Sequence, residues 1–118
     1  MKEKINFKEY LELSDKLEIK LGTITEVQRM EKSDKMLKLT VDFNDDDVRT
    51  VMTNIGNLKH LSGACDAETV LTNRQYPFVT NLEPVKMMGV VSEAMIVLPT
   101  NGDEPVIIGR APNGSKLI

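Results

Sequence analysis

The sequence predicts an all-β fold, a small barrel of short strands with one helix before it, and three observations lead to this prediction. Residues 36–43 alternate apolar and polar side chains, which is typical of a half-buried strand. A polar turn at 44–47 follows, and residues 48–55 return as the next strand. The apolar parity of an earlier strand changes at Gly22, which indicates a bent strand.

Composition fits a single domain covering residues 1–118. A chain of 118 residues, 41% hydrophobic and 28% charged, belongs to the globular class. No apolar run approaches the roughly 18 residues of a membrane span, so no membrane partner is expected. The start lacks an apolar signal region and Cys65 is the sole cysteine, so we expect a cytoplasmic protein without disulfides.

A short helix is predicted at residues 7–13. Asn6 followed by Glu9 forms a capping box, and an apolar stripe of Phe7, Tyr10 and Leu11 follows it. In a small barrel such a stripe usually covers the open end. Ser14 and Asp15 are predicted to end the helix.

The first strand begins at Leu17 and is predicted to carry a bulge at Gly22, because the next apolar residues do not keep the earlier parity. Such a bend lets the first strand of a five-stranded Greek-key barrel pair with neighbours on both sides, which is the first indication of an OB-fold. In the second strand Lys38 and Thr40 face away from the core, on the face that carries ligands in many OB-folds. Arg49 begins the third strand.

Weaker signals complete the chain. Residues 58–61 are compatible with one helical turn, and Pro77 makes residues 76–79 an edge or short strand. Residues 106–108 form a short apolar strand after the turn signal at 101–102. The chain ends on two aliphatic residues at 117–118, which we expect to be covered.

A turn between residues 81 and 89 leads into a mostly apolar strand at 90–98. Pro84 restricts the backbone before it, and Gly89 permits a positive φ. Lys86 stands between them, and Ser92 and Glu93 interrupt the apolar run. A core strand with methionines filling gaps is the simpler interpretation of this stretch.

The pattern Asn-Leu-x-Pro-x-Lys-x-x-Gly-x-x-Ser-x-x-Met over residues 81–95 resembles the signature of the tRNA-binding domain family. That family includes C-terminal domains of methionyl-tRNA synthetases, stand-alone dimeric tRNA-binding proteins and an export-chaperone branch. The resemblance covers most of 15–98 and includes the Lys35 segment and Arg49. It implies an OB-fold barrel at 15–98 that recognises tRNA shape, and a C-terminal extension at 99–118 through which two copies form a homodimer.

The sequence departs from the family pattern at two loops. Met30 and Glu31 stand where His-Pro is frequent, and Thr53 and Asn54 stand where Ser-Gly is frequent, while residues 57–74 are longer than usual. The candidate RNA-binding residues are Lys35, Lys38, Arg49, Asn54, Asn81, Lys86, Ser92 and Met95.

Several of these residues have structural alternatives. Arg49 could instead pair with an aspartate and hold the hairpin, Asn54 could satisfy a strand end, and Met95 could lie in the core. Ser92 and Met95 share a surface only if the strand bends at residues 93–94. A net charge of −3 argues against non-specific nucleic-acid binding, although the acidic turn at 42–47 accounts for much of it.

No enzyme, cofactor or metal site is predicted. Residues 42–46 mimic a calcium loop, but Asp47 occupies its glycine position. His60 and Cys65 lack zinc-ligand spacing, and Ser92 lacks a nucleophile frame.

The resemblance therefore predicts a structure-specific tRNA-binding module, with tRNA as partner and an aminoacyl-tRNA synthetase of the methionyl type assisted in trans. One alternative is a dimeric export-chaperone-like protein that binds peptide, which low basicity and a methionine-rich turn favour. The other is a dimerisation partner of a synthetase without RNA contact.

Overall fold

A computed structural model describes residues 2–33, 35–55, 71–97 and 111–117. The predicted all-β class is confirmed, since one short helix accompanies strands that form a nearly closed barrel. The elements are α1 Phe7–Lys16, β1 Ile19–Arg29, β2 Leu37–Asp42, β3 Val48–Thr53, β4 Gln75–Val79, β5 Val85–Met87, β6 Val90–Ser92, β7 Met95–Ile96 and β8 Lys116–Leu117. The helical turn predicted at 58–61 and the strand predicted at 106–108 lie outside the described residues.

Strand β1 is the centre of the sheet. The strand order is β3-β2-β1-β4-β7, with β8 also pairing β1 and every pairing antiparallel. The first half of β1 pairs with β4, from Ile19 to Thr23, and the second half pairs with β2, up to Arg29. The prediction that the first strand has neighbours on both sides is therefore confirmed.

The predicted bulge at Gly22 is wrong by about three residues. Gly22 pairs regularly with Tyr76, whereas the register of β1 against β2 shifts between Ile24 and Glu26. The glycine serves packing instead, because a Cβ atom there would lie 2.6 Å from Cγ1 of Val41 and 2.7 Å from the ring of Phe43. Such separations are shorter than carbon–carbon contact allows.

The β2–β3 hairpin is as predicted. Burial alternates along β2, with Leu37, Leu39 and Val41 fully buried and the residues between them half-buried. The turn follows at 44–47, where the amide of Phe43 donates to the carbonyl of Asp47 at 2.8 Å. Strand β3 ends at Thr53 rather than at residue 55.

The core lies between these strands. Phe43 and Phe78 pack edge to face, with centroids 5.4 Å apart and ring planes at 83°. Around them lie buried aliphatic side chains from four strands and the segments beside them, Ile24, Leu37, Leu39, Val41, Val51, Ile55, Leu71 and Ile96. The aromatic pair thus joins the end of β2 to β4.

Helix α1 is three residues longer than predicted, and its apolar side chains are exposed instead of covering the barrel end. Asn6 caps it as expected, accepting a hydrogen bond from the amide of Glu9 at 2.8 Å. None of its residues is buried, and Phe7 is 72% exposed. The expectation that its apolar stripe covers the barrel end is therefore wrong.

The segment 111–117 is part of the barrel edge. The amide of Gly114 donates to the carbonyl of Leu21 at 2.7 Å, and the amide of Leu21 donates to the carbonyl of Ser115 at 2.9 Å. Strand β4 is short, as predicted from Pro77, yet it is interior, because β1 and β7 flank it.

Candidate nucleic-acid interface

The central turn of the sequence forms a separate hairpin, β5–β6. Its two-residue loop has Met88 at φ 50° and Gly89 at φ 81°, the positive values of a type I′ turn. Lys86 pairs with Val91 across the hairpin, and both side chains are exposed. The predicted role of Gly89 is confirmed, and the hairpin holds one lysine beside an exposed apolar side chain.

The strand predicted at 90–98 is interrupted where its two polar residues stand. Strand β6 ends at Ser92 and β7 begins at Met95, so the chain turns at residues 93–94. Ser92 is 5% exposed, whereas Met95 is 38% exposed. The bend exists, but Met95 is open to solvent and Ser92 is not.

Ser92 and Glu93 bond to the free edge of β3. The amide of Met52 donates to Oγ of Ser92 at 2.9 Å, and this hydroxyl donates to the carbonyl of Ala94 at 3.2 Å. The amide of Glu93 donates to the carbonyl of Thr50 at 2.9 Å. The hydroxyl of Ser92 is thus fully used within the fold.

Two of the candidate lysines lie at the start of β2. Oγ of Ser33 accepts from the amides of Lys35 and Met36, at 3.3 and 3.1 Å, and so shapes the loop before the strand. Lys35 is exposed, and Lys38 is half-buried on the outer face of β2. Met52, which pairs with Lys38, is fully buried although it lies on the same outer face. The outer face is therefore more open towards the β2–β3 turn than at Met52.

Arg49 lies on the opposite side of the sheet from Lys38. It pairs with buried Val41, and its guanidinium lies 5.3 Å from the centre of the Phe43 ring. Nε donates to Asp47 at 2.9 Å and Nη1 to the carbonyl of Thr80 at 2.7 Å. These contacts realise the alternative in which Arg49 pairs with an aspartate and holds the hairpin.

Of the two asparagine candidates, one forms hydrogen bonds within the fold and the other is exposed. Asn81 accepts from the amide of Glu18 at 2.8 Å and donates to the carbonyl of Lys16 at 2.6 Å, so it ties the end of α1 to the segment before β5. Asn54 is exposed immediately after β3. The structure therefore leaves five of the eight candidate side chains open to a ligand, Lys35, Lys38, Asn54, Lys86 and Met95, and uses three internally, Arg49, Asn81 and Ser92.

In the part of the chain that the structure describes, some charged side chains near this surface form ion pairs, and the candidate lysines do not. Within the described ranges the ion pairs join Lys20 with Glu18 and Arg49 with Asp47. Lys35, Lys38 and Lys86 take part in neither pair. The hydroxyl of Thr80, helped by Lys20, lowers the pKa of Glu18 below its ordinary value.

Sequence reasoning missed the roles of Thr80 and Glu93. Thr80 is buried and its hydroxyl donates to a carboxylate oxygen of Glu18 at 2.7 Å. The interruption of an apolar run at Ser92 and Glu93 was the available signal, but their bonding partners lie about forty residues away in the chain.

The fold and this surface define a small OB-type barrel with a projecting hairpin that presents a lysine. The chain belongs to the tRNA-binding domain family, whose profile matches residues 19–115. A methionine–tRNA ligase of Helicobacter pylori strain J99 is 36% identical over 111 residues, which are 92% of this chain and 15% of the ligase. A methionine–tRNA ligase of Methanobrevibacter smithii is 37% identical over 83 residues, 70% of this chain and 11% of the ligase. This chain thus spans a small fraction of those relatives.

Solved structures show the same fold. A MetRS-related protein from Pyrococcus horikoshii superposes with a TM-score of 0.75 at 25% identity, covering 99% of this chain and all of that one. A CsaA chaperone protein from Picrophilus torridus gives a TM-score of 0.74 at 21% identity, covering 98% of this chain and all of that one. In the described part of the chain no helix is long and apolar enough to cross a membrane.

Proposed function

We propose that the protein is a structure-specific tRNA-binding module and has no catalytic activity of its own. The observation that carries this proposal is Lys86, an exposed cation on a hairpin fixed by a type I′ turn, without an ion-pair partner among the described residues. A lysine held in this way is available to a phosphate. Family membership supports RNA as the ligand.

The RNA is bound through few cations at fixed positions. Lys35 and Lys38 at the start of β2 add to Lys86, on a chain whose net charge is −3. Few phosphate contacts give weak binding to any RNA, so selectivity comes from a ligand whose shape meets all of them together. Asn54 and Met95 are open to bases or sugars, while Arg49, Asn81 and Ser92 support the surface from within.

The test is tRNA affinity over a salt series for wild type, Lys35→Ala and Lys86→Ala. Loss of one phosphate contact lowers the slope of log affinity against log salt by about one unit. Lys116→Ala is the matched control, because Lys116 is also an exposed lysine and lies on β8, outside the β5–β6 hairpin. A Lys86→Ala protein that equals this control in affinity and slope would remove Lys86 from the interface.

In this proposal the protein binds tRNA for an aminoacyl-tRNA synthetase of the methionyl type, which it assists in trans. The similarity to a small part of methionine–tRNA ligases supports this assignment. A cytoplasmic location follows from it. Aminoacylation by such a ligase, measured at limiting tRNA with and without this protein, should rise when the protein is added, because weak extra affinity raises the local tRNA concentration.

We also propose a homodimer. Helix α1 and the neighbouring strands leave apolar side chains exposed, and an open groove of about 600 Å³ runs between them. Its apolar lining includes Tyr10, Leu13, Leu17, Ile19 and Leu117. An amphipathic helix without buried residues is stable only when its apolar face is covered, which a second copy would do.

Light scattering at micromolar concentration should report about twice 13.2 kDa. Leu13→Glu places a charge in the groove and should shift this value to the monomer, whereas Glu12→Gln on the same helix should not. A wild-type monomer over the whole concentration range would contradict the dimer.

The same groove favours one second candidate function, binding of an extended apolar peptide. A competition between tRNA and an unfolded peptide separates the two. If peptide binds and tRNA does not, the peptide-binding hypothesis replaces the RNA-binding one.

A further inference from the structure

Strand β3 has β2 on one side and no strand partner on the other among the described residues. Its amides at Met52 and Thr50 point away from β2, and such edge groups need hydrogen-bond partners when they are buried. Residues 92 and 93 supply them. This set of bonds between β3 and residues 92–93 is called the edge clamp below.

The edge clamp depends on the hydroxyl group of one buried side chain, Ser92. Ser92 accepts from the amide of Met52 and donates to the carbonyl of Ala94, so its single hydroxyl satisfies two backbone groups. Thr50 and Glu93 add a backbone bond of 2.9 Å and a contact from the Thr50 amide to the Glu93 carboxylate at 3.4 Å. Met52 and Ser92 are both buried, so water is a poor substitute for the hydroxyl.

A continuous row of pairings passes through this serine and ends beside the hairpin lysine. Lys38 on β2 pairs with Met52 on β3, Met52 bonds to Ser92 on β6, and Ser92 pairs with Val85 on β5. Lys86 is the next residue of β5. Three strand spacings separate Lys38 from the hairpin strand, a distance on the order of 15 Å.

We infer that Ser92 is a positioning residue for RNA binding: it holds the β5–β6 hairpin on the edge of β3 and thereby fixes the spacing between Lys86 and Lys38, without touching the RNA. The inference rests on the proposed tRNA-binding function. Two cations this far apart meet one rigid RNA together only if their spacing is constant. A hairpin released from β3 keeps its lysine but presents it at variable positions.

We expect that removing the hydroxyl of Ser92 has the same effect on tRNA binding as removing the side-chain charge of Lys86. Ser92→Ala and Lys86→Ala should each lower the salt slope of tRNA binding by about one unit, so that the loss of affinity relative to wild type is about tenfold greater at 0.1 M salt than at 1 M. The double variant should show no further loss, because the displaced lysine no longer contributes. Ser92→Thr retains a hydroxyl and should recover most of the slope.

Two further proteins separate positioning from general destabilisation. Ile24→Val removes a methyl group from the buried core on β1, and should lower the melting temperature while keeping the wild-type salt slope. Ser92→Cys replaces the hydroxyl with a weaker hydrogen-bonding group of similar size, for use if Ser92→Ala does not fold. Amide exchange at Met52 and Glu93, whose amides bond across the edge clamp, reports its state without RNA, and should accelerate in Ser92→Ala and Ser92→Cys.

The outcomes are distinguishable. If Lys86→Ala lowers the slope and the Ser92 variants keep it, or if the double variant loses a second unit, the positioning role is overturned and the RNA-binding proposal stands. If wild type does not bind tRNA, both proposals fail. If Lys86→Ala has the wild-type slope, Lys86 is not at the interface and the positioning role is overturned. If amide exchange at Glu93 is unchanged in the Ser92 variants, the hairpin is held by other contacts and the inference is overturned.

Discussion

Gly22→Ala adds one methyl group at a crowded point of the barrel core. The new Cβ atom would lie 2.6 Å from Cγ1 of Val41, and 2.7 and 2.9 Å from two ring atoms of Phe43. Carbon atoms in contact prefer about 3.5–4.0 Å, so both neighbours must move by roughly 1 Å. Both are buried in the core, where the ring of Phe43 also packs against Phe78. Overpacking of this kind costs about 1–3 kcal/mol.

A second effect of Gly22→Ala opposes this destabilisation. Alanine restricts the unfolded chain more than glycine does, and at a site that accepts it this stabilises by about 0.4–1 kcal/mol. Gly22 pairs regularly with Tyr76 and is not among the positive-φ residues, so its backbone alone would accept alanine. The net expectation is a loss of about 1–2 kcal/mol, which lowers the melting temperature by about 3–8 °C for a domain of this size.

The assay is thermal and urea unfolding of Gly22→Ala, Val41→Ala and the double variant. Removing Cγ1 of Val41 relieves part of the crowding, so the double variant should be more stable than the sum of the single losses by at least about 0.5 kcal/mol. An increase in stability on Gly22→Ala, or strict additivity with Val41→Ala, would refute this account of the glycine.

Two further predictions concern the barrel and its hairpin. The pKa of Glu18 is lowered below its ordinary value of 4.5 mainly by Thr80, so this carboxylate stabilises the fold above that pH and the contribution is lost as the pH falls through the lowered pKa. Thr80→Val should therefore flatten the dependence of melting temperature on pH below about 4.5, and an unaltered profile would contradict the link. Gly89→Ala places a side chain at φ 81° with nothing within 4 Å, so it should cost about 1–2 kcal/mol of strain without steric contact. If the added substitution Met88→Gly fully restores the stability lost in Gly89→Ala, the turn has changed type and the strain explanation is contradicted.

The sequence predicted those features that depend on local pattern. The alternation of residues 36–43 predicted β2 and the inward placement of Leu39, because side-chain direction in a strand follows from parity alone. Gly89 was correctly expected at a positive φ, because glycine lacks the Cβ atom that disfavours this conformation and it stands in the turn after Pro84. The capping residue Asn6 was likewise readable from its spacing to Glu9.

Features that depend on contacts distant in the chain were not predictable. Gly22 and Ile24 are buried on one face of β1 and the register shift comes only after Ile24, so the parity change near Gly22 does not mark a bulge there. Crowding by Val41 and Phe43 explains the glycine. The inner-face position of Arg49 follows from the register of β3 against β2, which one strand alone does not reveal. Ser92 was noticed as a polar residue in an apolar run, but its bond to Met52 spans forty residues of chain.

The affinity of the protein for tRNA, compared with its affinity for an RNA duplex of equal length, tests shape-specific recognition most directly. Both ligands carry the same phosphates, so a protein that binds through charge alone treats them alike. We expect clearly tighter binding to tRNA at about 0.15 M salt, because in the proposed mode only a ligand of fixed, bent shape meets Lys35, Lys38 and Lys86 together. Equal affinity for the two RNAs would contradict shape-specific recognition.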